Sequence, residues 1–162
     1  MQIKSINYIN FRNLKNNKLE FHPRFNLFMG KNGQGKTSIL EAIYFSITGK
    51  SFRTKHIKEL IKYDYQDAGA MINYEDRLGK KSIGIKFNGK TREYLYNKSK
   101  VKFDEFIGRV NVISFIPDDI YLILGNPSLG TVRNSWNENS AMMKLTARSS
   151  AKSAGAILRC PN

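Results

Sequence analysis

Residues 30–37 read GKNGQGKT, with glycine at positions 30, 33 and 35 and then a lysine and a hydroxyl side chain. This fills the pattern G-x-x-x-x-G-K-[ST], a loop that wraps the phosphates of a nucleoside triphosphate. Gly30, Gly33 and Gly35 let the backbone turn with positive φ, so that successive N–H groups face an anion with no Cβ in the way. Lys36 supplies a mobile point charge for the β and γ phosphates, and the Thr37 hydroxyl can complete the octahedral shell of Mg2+. Lys31, Asn32 and Gln34 stand between the glycines and Ser38 follows the hydroxyl, so the candidate nucleotide-binding run is 30–38. The chemistry is therefore the holding of Mg-bound ATP or GTP. Hydrolysis needs more: an acid behind the magnesium, a residue that orients water, and a cation for the developing charge. None is evident. Asp118 and Asp119 follow Pro117 and read as acids of a helix first turn, so no catalytic residue is assigned.

Such a loop works only between a strand and a helix. The short apolar run 25–29, FNLFM, stops at Gly30 and predicts a buried strand. From Thr37 the apolar residues Ile39, Leu40, Ile43 and Ile47 fall at helical spacing, with Gly49 placed to end the helix. Ahead of the loop, residues 3–11 predict a first strand and 18–23 a second, halted by Pro23. Beyond it, 57–62 predicts a short amphipathic helix. Strand-like runs follow at 70–74, 82–87 and 92–96, the last two joined by the hairpin signal Asn88-Gly89. VNVISF, 110–115, predicts another buried strand, and 117–124 a helix opening on Pro117.

The totals set bounds on this reading. A chain of 162 residues with a 41% hydrophobic fraction can bury one real core. No apolar run is long enough to span a bilayer, and Cys160 has no partner for a disulfide or a metal site, so a cytoplasmic protein with no membrane partner is expected. The formal charge of +14 favours nucleic acid as a partner, although the lysines and arginines are scattered and also suit a solvated basic surface. Near Asn126 the texture changes: Ser and Ala cluster, Glu138 is the lone acid, and no period persists.

Three stretches carry a family resemblance. GKNGQGKTSILEAIYFSITGKSFRT, residues 30–54, resembles the phosphate-loop segment of the RecF family of bacterial recombinational repair ATPases. INFRNL, 9–14, is similar to the N-terminal motif shared by RecF with SMC and Rad50 heads, and FIPDDIYLILGNPSL, 115–129, is similar to a later RecF motif. The resemblance implies an α/β P-loop NTPase fold, the N-terminal lobe of an ABC-type ATPase head (SMC/Rad50/RecF-like) with an antiparallel β subsheet. It also implies ATP as the nucleotide, since nothing in the loop distinguishes ATP from GTP. The implied partners are DNA, as duplex next to single-stranded gaps, other recombination mediator proteins in recombinase loading, and a second subunit in an ATP-dependent homodimer. By the same resemblance Arg12 and Asn13 would lie against the nucleotide.

After NPSL the family pattern continues with arginines, a long arm, a signature motif, Walker B and a D-loop, none of which is legible in 130–162. The expectation is an N-terminal lobe over 1–125 and an unassigned tail over 126–162, frameshifted or disordered. In this architecture strands from the C-terminal portion complete the sheet that carries the loop. An unpaired sheet edge and a partly exposed apolar face on helix 37–48 are therefore expected. Two other readings stay open: a non-catalytic nucleotide- or DNA-binding fragment, and an ATPase head of another ABC-type system.

Overall fold

In a computed structural model the described residues are 1–112, together with the strand backbones 114–115, 144–150 and 153–159. The chain begins with β1 (Gln2–Ile9), which buries Ile3, Ile6 and Tyr8; a bulge between Ile3 and Ser5 shifts its register. It joins β2 (Asn17–Glu20), β4 (Ala68–Asp76), β5 (Gly79–Phe87), β6 (Arg92–Tyr96) and β7 (Ser99–Val101) in a six-stranded sheet of order β2-β1-β4-β5-β6-β7. All its pairings are antiparallel. One row of partners, Leu19–Ile6–Ile72–Ile83–Tyr96, crosses five strands and belongs to the face that meets the core. Alternation with period 2 is what puts these residues on one side.

Helix α1 (Lys36–Thr48) covers that face. Its Phe45 ring lies 4.8 Å from Phe87 and 6.0 Å from Phe11, so helix, sheet and the segment after β1 share one aromatic cluster. Each such buried side chain contributes roughly 1.5–3 kcal/mol. The helix ends where the spacing predicts: Gly49 is left-handed at φ 71° and its N–H bonds the Phe45 carbonyl at 2.8 Å. The backbone of β10 (Ser153–Arg159) also contacts α1. With β3 (Phe25–Phe28), β8 (Ser114–Phe115) and β9 (Lys144–Ser150), β10 forms a second sheet of order β3-β10-β9-β8.

Three expectations are corrected here. The run 25–29 does form a strand, but it is not buried: Phe25, Leu27 and Met29 are exposed. The reason is position: among the described residues β3 is an edge strand hydrogen-bonded only to β10, and of its apolar side chains Phe28 alone turns inward, to meet Phe21 edge-on. The expected unpaired edge is therefore present at β3, among the described residues. Second, helix 37–48 shows no exposed apolar face; Leu40, Ile43, Phe45 and Ile47 are all buried and Ile39 half-buried, because the helix is enclosed nearly all round. Third, the segment after α1 is a single 3-10 turn, Ile57–Leu60, and not a helix to residue 62; Ile61 leaves it extended to bridge Phe11.

The central strands run longer than predicted, and the Asn88-Gly89 signal becomes a four-residue loop whose Lys90 and Thr91 amides donate to Asn88 Oδ1. β7 and the short helix α2 (Phe103–Phe106) were not anticipated. β7 returns through Asn97 and Lys98, at φ 48° and 67°, the two left-handed residues of a tight hairpin turn. The helix expected at 117–124, with Asp118 and Asp119, lies outside the described residues, as does the 125/126 boundary. Residues 126–162 had no predicted fold; β9 and β10 are the parts of them that are described.

Four carboxylates on the six-stranded sheet accept hydrogen bonds from lysines: Glu20 from Lys18, Glu75 from Lys4, Asp76 from Lys81 and Glu93 from Lys100, at 2.6, 2.9, 2.6 and 2.8 Å. These bonds hold all four below the usual carboxylate range. A depressed folded-state pKa stabilises above the unfolded value and is lost as pH falls through the folded one. Urea midpoints are therefore expected to fall below about pH 4, and by less in about 1 M salt, because pairs that reach solvent are screened. Midpoints indifferent to acid, or equally acid-sensitive at both salt levels, would show that the pairs do not act on stability.

Candidate nucleotide-binding site

The loop between β3 and α1 turns on Gly33 and Gly35, at φ 81° and 91°. Any other residue at Gly35 would be strained, and its Cβ would stand 2.6 Å from Leu14 Cδ2, so glycine also admits the segment after β1 to the mouth of the loop. Gln34 folds back, its Oε1 accepting the Lys31 amide at 2.9 Å. Within α1 the first helical bond runs from the Ile39 N–H to the Gly35 carbonyl, leaving the amides of Lys36, Thr37 and Ser38 without helical acceptors. These are the donors that a helix N-terminus offers to an anion.

Lys36 is buried, and its Nζ donates to the Gly30 and Lys31 carbonyls, both at 2.7 Å. The ammonium thus ties the two arms of the loop together from inside. Thr37 is exposed, and among the described residues its hydroxyl has no hydrogen-bond partner. Asn13 braces the other side: its Nδ2 donates to the Gly33 carbonyl at 2.7 Å, and its Oδ1 accepts from Ser38 Oγ at 3.0 Å. Loop residues 32–38, Arg12, Asn13, Arg53, Glu59 and residues 61–63 line an open cavity of about 680 Å³.

Arg12 reaches that wall but is engaged behind it. Its Nε and Nη2 donate to the two carboxylate oxygens of Glu41 at 3.0 and 2.9 Å, the forked geometry that guanidinium favours. Glu41 is fully buried in α1 and also accepts from Ser51 Oγ at 2.5 Å and Arg53 Nη1 at 3.2 Å. Arg12 itself is left-handed at φ 50°, a conformation costly for arginine, and it is pinned by its own N–H to the Leu60 carbonyl at 2.8 Å.

Of the predicted loop residues, 32–38 line one cavity with Arg12 and Asn13, whereas Gly30 and Lys31 do not line it and are tied to the loop through Lys36 Nζ. Glu41, Ser51 and Arg53 were missed. A signal existed: a glutamate flanked by Leu40 and Ala42 among the apolar residues of the helix calls for cationic partners if it is buried, and FRN and SFR supply them. Among the described residues no group of three His, Cys, Asp or Glu side chains comes together as a metal site, and no helix is long and apolar enough to cross a membrane.

Residues 2–117 match the family model described as the RecF/RecN/SMC N terminal domain. The chain belongs to that family. Within it, a "DNA replication and repair protein RecF" of Clostridium botulinum (strain Loch Maree / Type A3) is 44% identical over 130 residues, 78% of this chain and 35% of the relative. A solved structure of the recombination mediator protein RecF with ATP, in the RecFOR pathway, superposes with a TM-score of 0.71 at 35% identity, covering 78% of this chain and 35% of that one. The SMC head domain from Thermotoga maritima, at 16% identity and a TM-score of 0.55, covers 70% of this chain and 48% of its own and shares the fold. The chain thus spans about a third of the length of the RecF proteins it matches.

The carboxylate cluster makes a measurable claim. Glu41→Ala is expected to destabilise by about 3 kcal/mol, the low end for a broken buried pair because Arg53 keeps contact with water. In a double-mutant cycle with Arg12→Ala the two changes should couple by at least about 1 kcal/mol. Additivity in urea unfolding would mean that the pair is not an energetic unit.

Proposed function

We propose that the chain is the ATP-binding part of a RecF-type protein of DNA replication and repair, with the phosphates held by residues 30–38. The observation that carries this reading is the folded loop, with three helix N-terminal amides, a buried lysine and an exposed threonine gathered on one cavity. When bound, the triphosphate supplies the negative charge that this cradle neutralises. Lys36 would exchange its two carbonyl acceptors for phosphate oxygens. Thr37 would offer its hydroxyl to Mg2+, with the remaining ligands from phosphate and water, the usual arrangement for that ion. Asn13 would hold the loop in shape, and Arg12 would reach the nucleotide only by loosening one of its bonds to Glu41.

ATP as the nucleotide is supported by the RecF structure that holds it. DNA as duplex beside single-stranded gaps, recombinase loading with other mediator proteins, an ATP-dependent homodimer and a cytoplasmic location are part of the same proposal. The names of the RecF relatives support it, and the charge of +14 suits a polyanionic partner. The end of the family match at residue 117 supports dividing the chain near residue 125. The proposal is confined to binding, because Glu41, the one buried carboxylate among the described residues, is already held by two arginines and a serine and is no free base. An ABC-type head of another system is disfavoured by the gap between 44% identity to a RecF and 16% to an SMC head.

Lys36→Ala is expected to abolish Mg-ATP binding in calorimetric titration while the far-UV circular dichroism stays that of the parent. Undiminished binding by the folded variant would remove the loop from the account.

A further inference from the structure

The cavity holds more than a phosphate cradle. Its lining also takes in Glu59, Ile61, Lys62 and Tyr63, and at about 680 Å³ it falls in the range that takes a whole small-molecule ligand. On that wall Tyr63 is 88% exposed, and its side chain has no hydrogen bond or ring contact among the described residues. A tyrosine left so open is unusual for a ring that could bury apolar area.

Its backbone, by contrast, is firmly placed. Before it, the Lys62 N–H donates to the Asn10 carbonyl at 2.7 Å, the Leu60 carbonyl accepts from Arg12 N–H at 2.8 Å, and Ile61 bridges Phe11. After it, the Tyr65 N–H closes a tight turn on the Lys62 carbonyl at 3.1 Å, with Asp64 left-handed at φ 68°. The turn therefore presents Tyr63 at its tip, fixed to the same segment, residues 10–13, that braces the phosphate loop. Lys62, also on the cavity wall, has its ammonium 5.9 Å from the Tyr65 ring.

We infer that Tyr63 is the stacking platform for the nucleobase of the nucleoside triphosphate, on the same cavity that Lys36 and Thr37 line. The inference rests on the phosphate-binding reading above. Stacking on a tyrosine face discriminates poorly between bases, so this contact supplies affinity for a nucleoside over bare polyphosphate more than a choice of ATP over GTP.

The test compares two probes, ATP and inorganic tripolyphosphate, each with Mg2+, titrated calorimetrically into the full chain and its variants. Tyr63→Ala is expected to weaken ATP by about 5- to 150-fold and to leave tripolyphosphate unchanged. Tyr63→Phe should bind both as the parent does, and Tyr63→Leu, which keeps apolar bulk without the ring, should behave like the alanine variant. Lys36→Ala should weaken both probes. If Tyr63→Ala binds ATP as well as the parent does, or weakens both probes equally, the platform is overturned while the phosphate loop stands. If the parent binds tripolyphosphate no better than Lys36→Ala, the phosphate-binding reading fails and the platform falls with it.

Discussion

In the middle of α1 a carboxylate with no solvent exposure is held by Arg12, Arg53 and Ser51, groups that come from both sides of the helix in the chain. Burying a lone carboxylate costs several kcal/mol, a cost offset only when the charge is paired and its lone pairs are satisfied. Glu41 therefore works as a registration point. The segment after β1, the helix, and the segment after the helix can reach their native positions together but not separately. Arg12 tolerates a left-handed backbone in that setting because its guanidinium is held by two hydrogen bonds.

The glycine-rich loop 30–37 depends on that registration. Asn13 follows Arg12 directly, and it is Asn13 that bonds both the Gly33 carbonyl and the Ser38 hydroxyl. Lys36 adds a second brace from within through the Gly30 and Lys31 carbonyls. The protein's own donors thus preform the loop, which lowers the ordering cost a ligand meets. The same logic continues outward, because residues 60–62 are bonded to 10–12, and Ile61 and Lys62 line the same cavity.

What could be read from the sequence follows the range of the forces involved. The loop, its helix and Gly49 are local patterns and were legible residue by residue. So were the central strands, whose alternation extends over many residues. β3 was misjudged because an apolar run reports composition and not whether a second face is covered, and here β3 lies at an edge. β7 was missed because its turn puts Lys98, an uncommon residue for that conformation, at positive φ. The Glu41 cluster joins residues 10, 12 and 29 positions apart, and no spacing rule links them. The motifs FRN, LEAIY and GKSFR carry the family resemblance; their physical connection through one carboxylate appears only in three dimensions.

Titrating Mg-ATP into the isotopically labelled chain while following backbone amide resonances tests the central claim most directly. The account predicts that the largest shifts fall on residues 30–38 and on Asn13, with the outer face of the six-stranded sheet nearly silent. Shifts concentrated on lysines of that outer face, or no saturable shifts in the loop, would contradict it and leave only generic attraction between a basic protein and a polyanion.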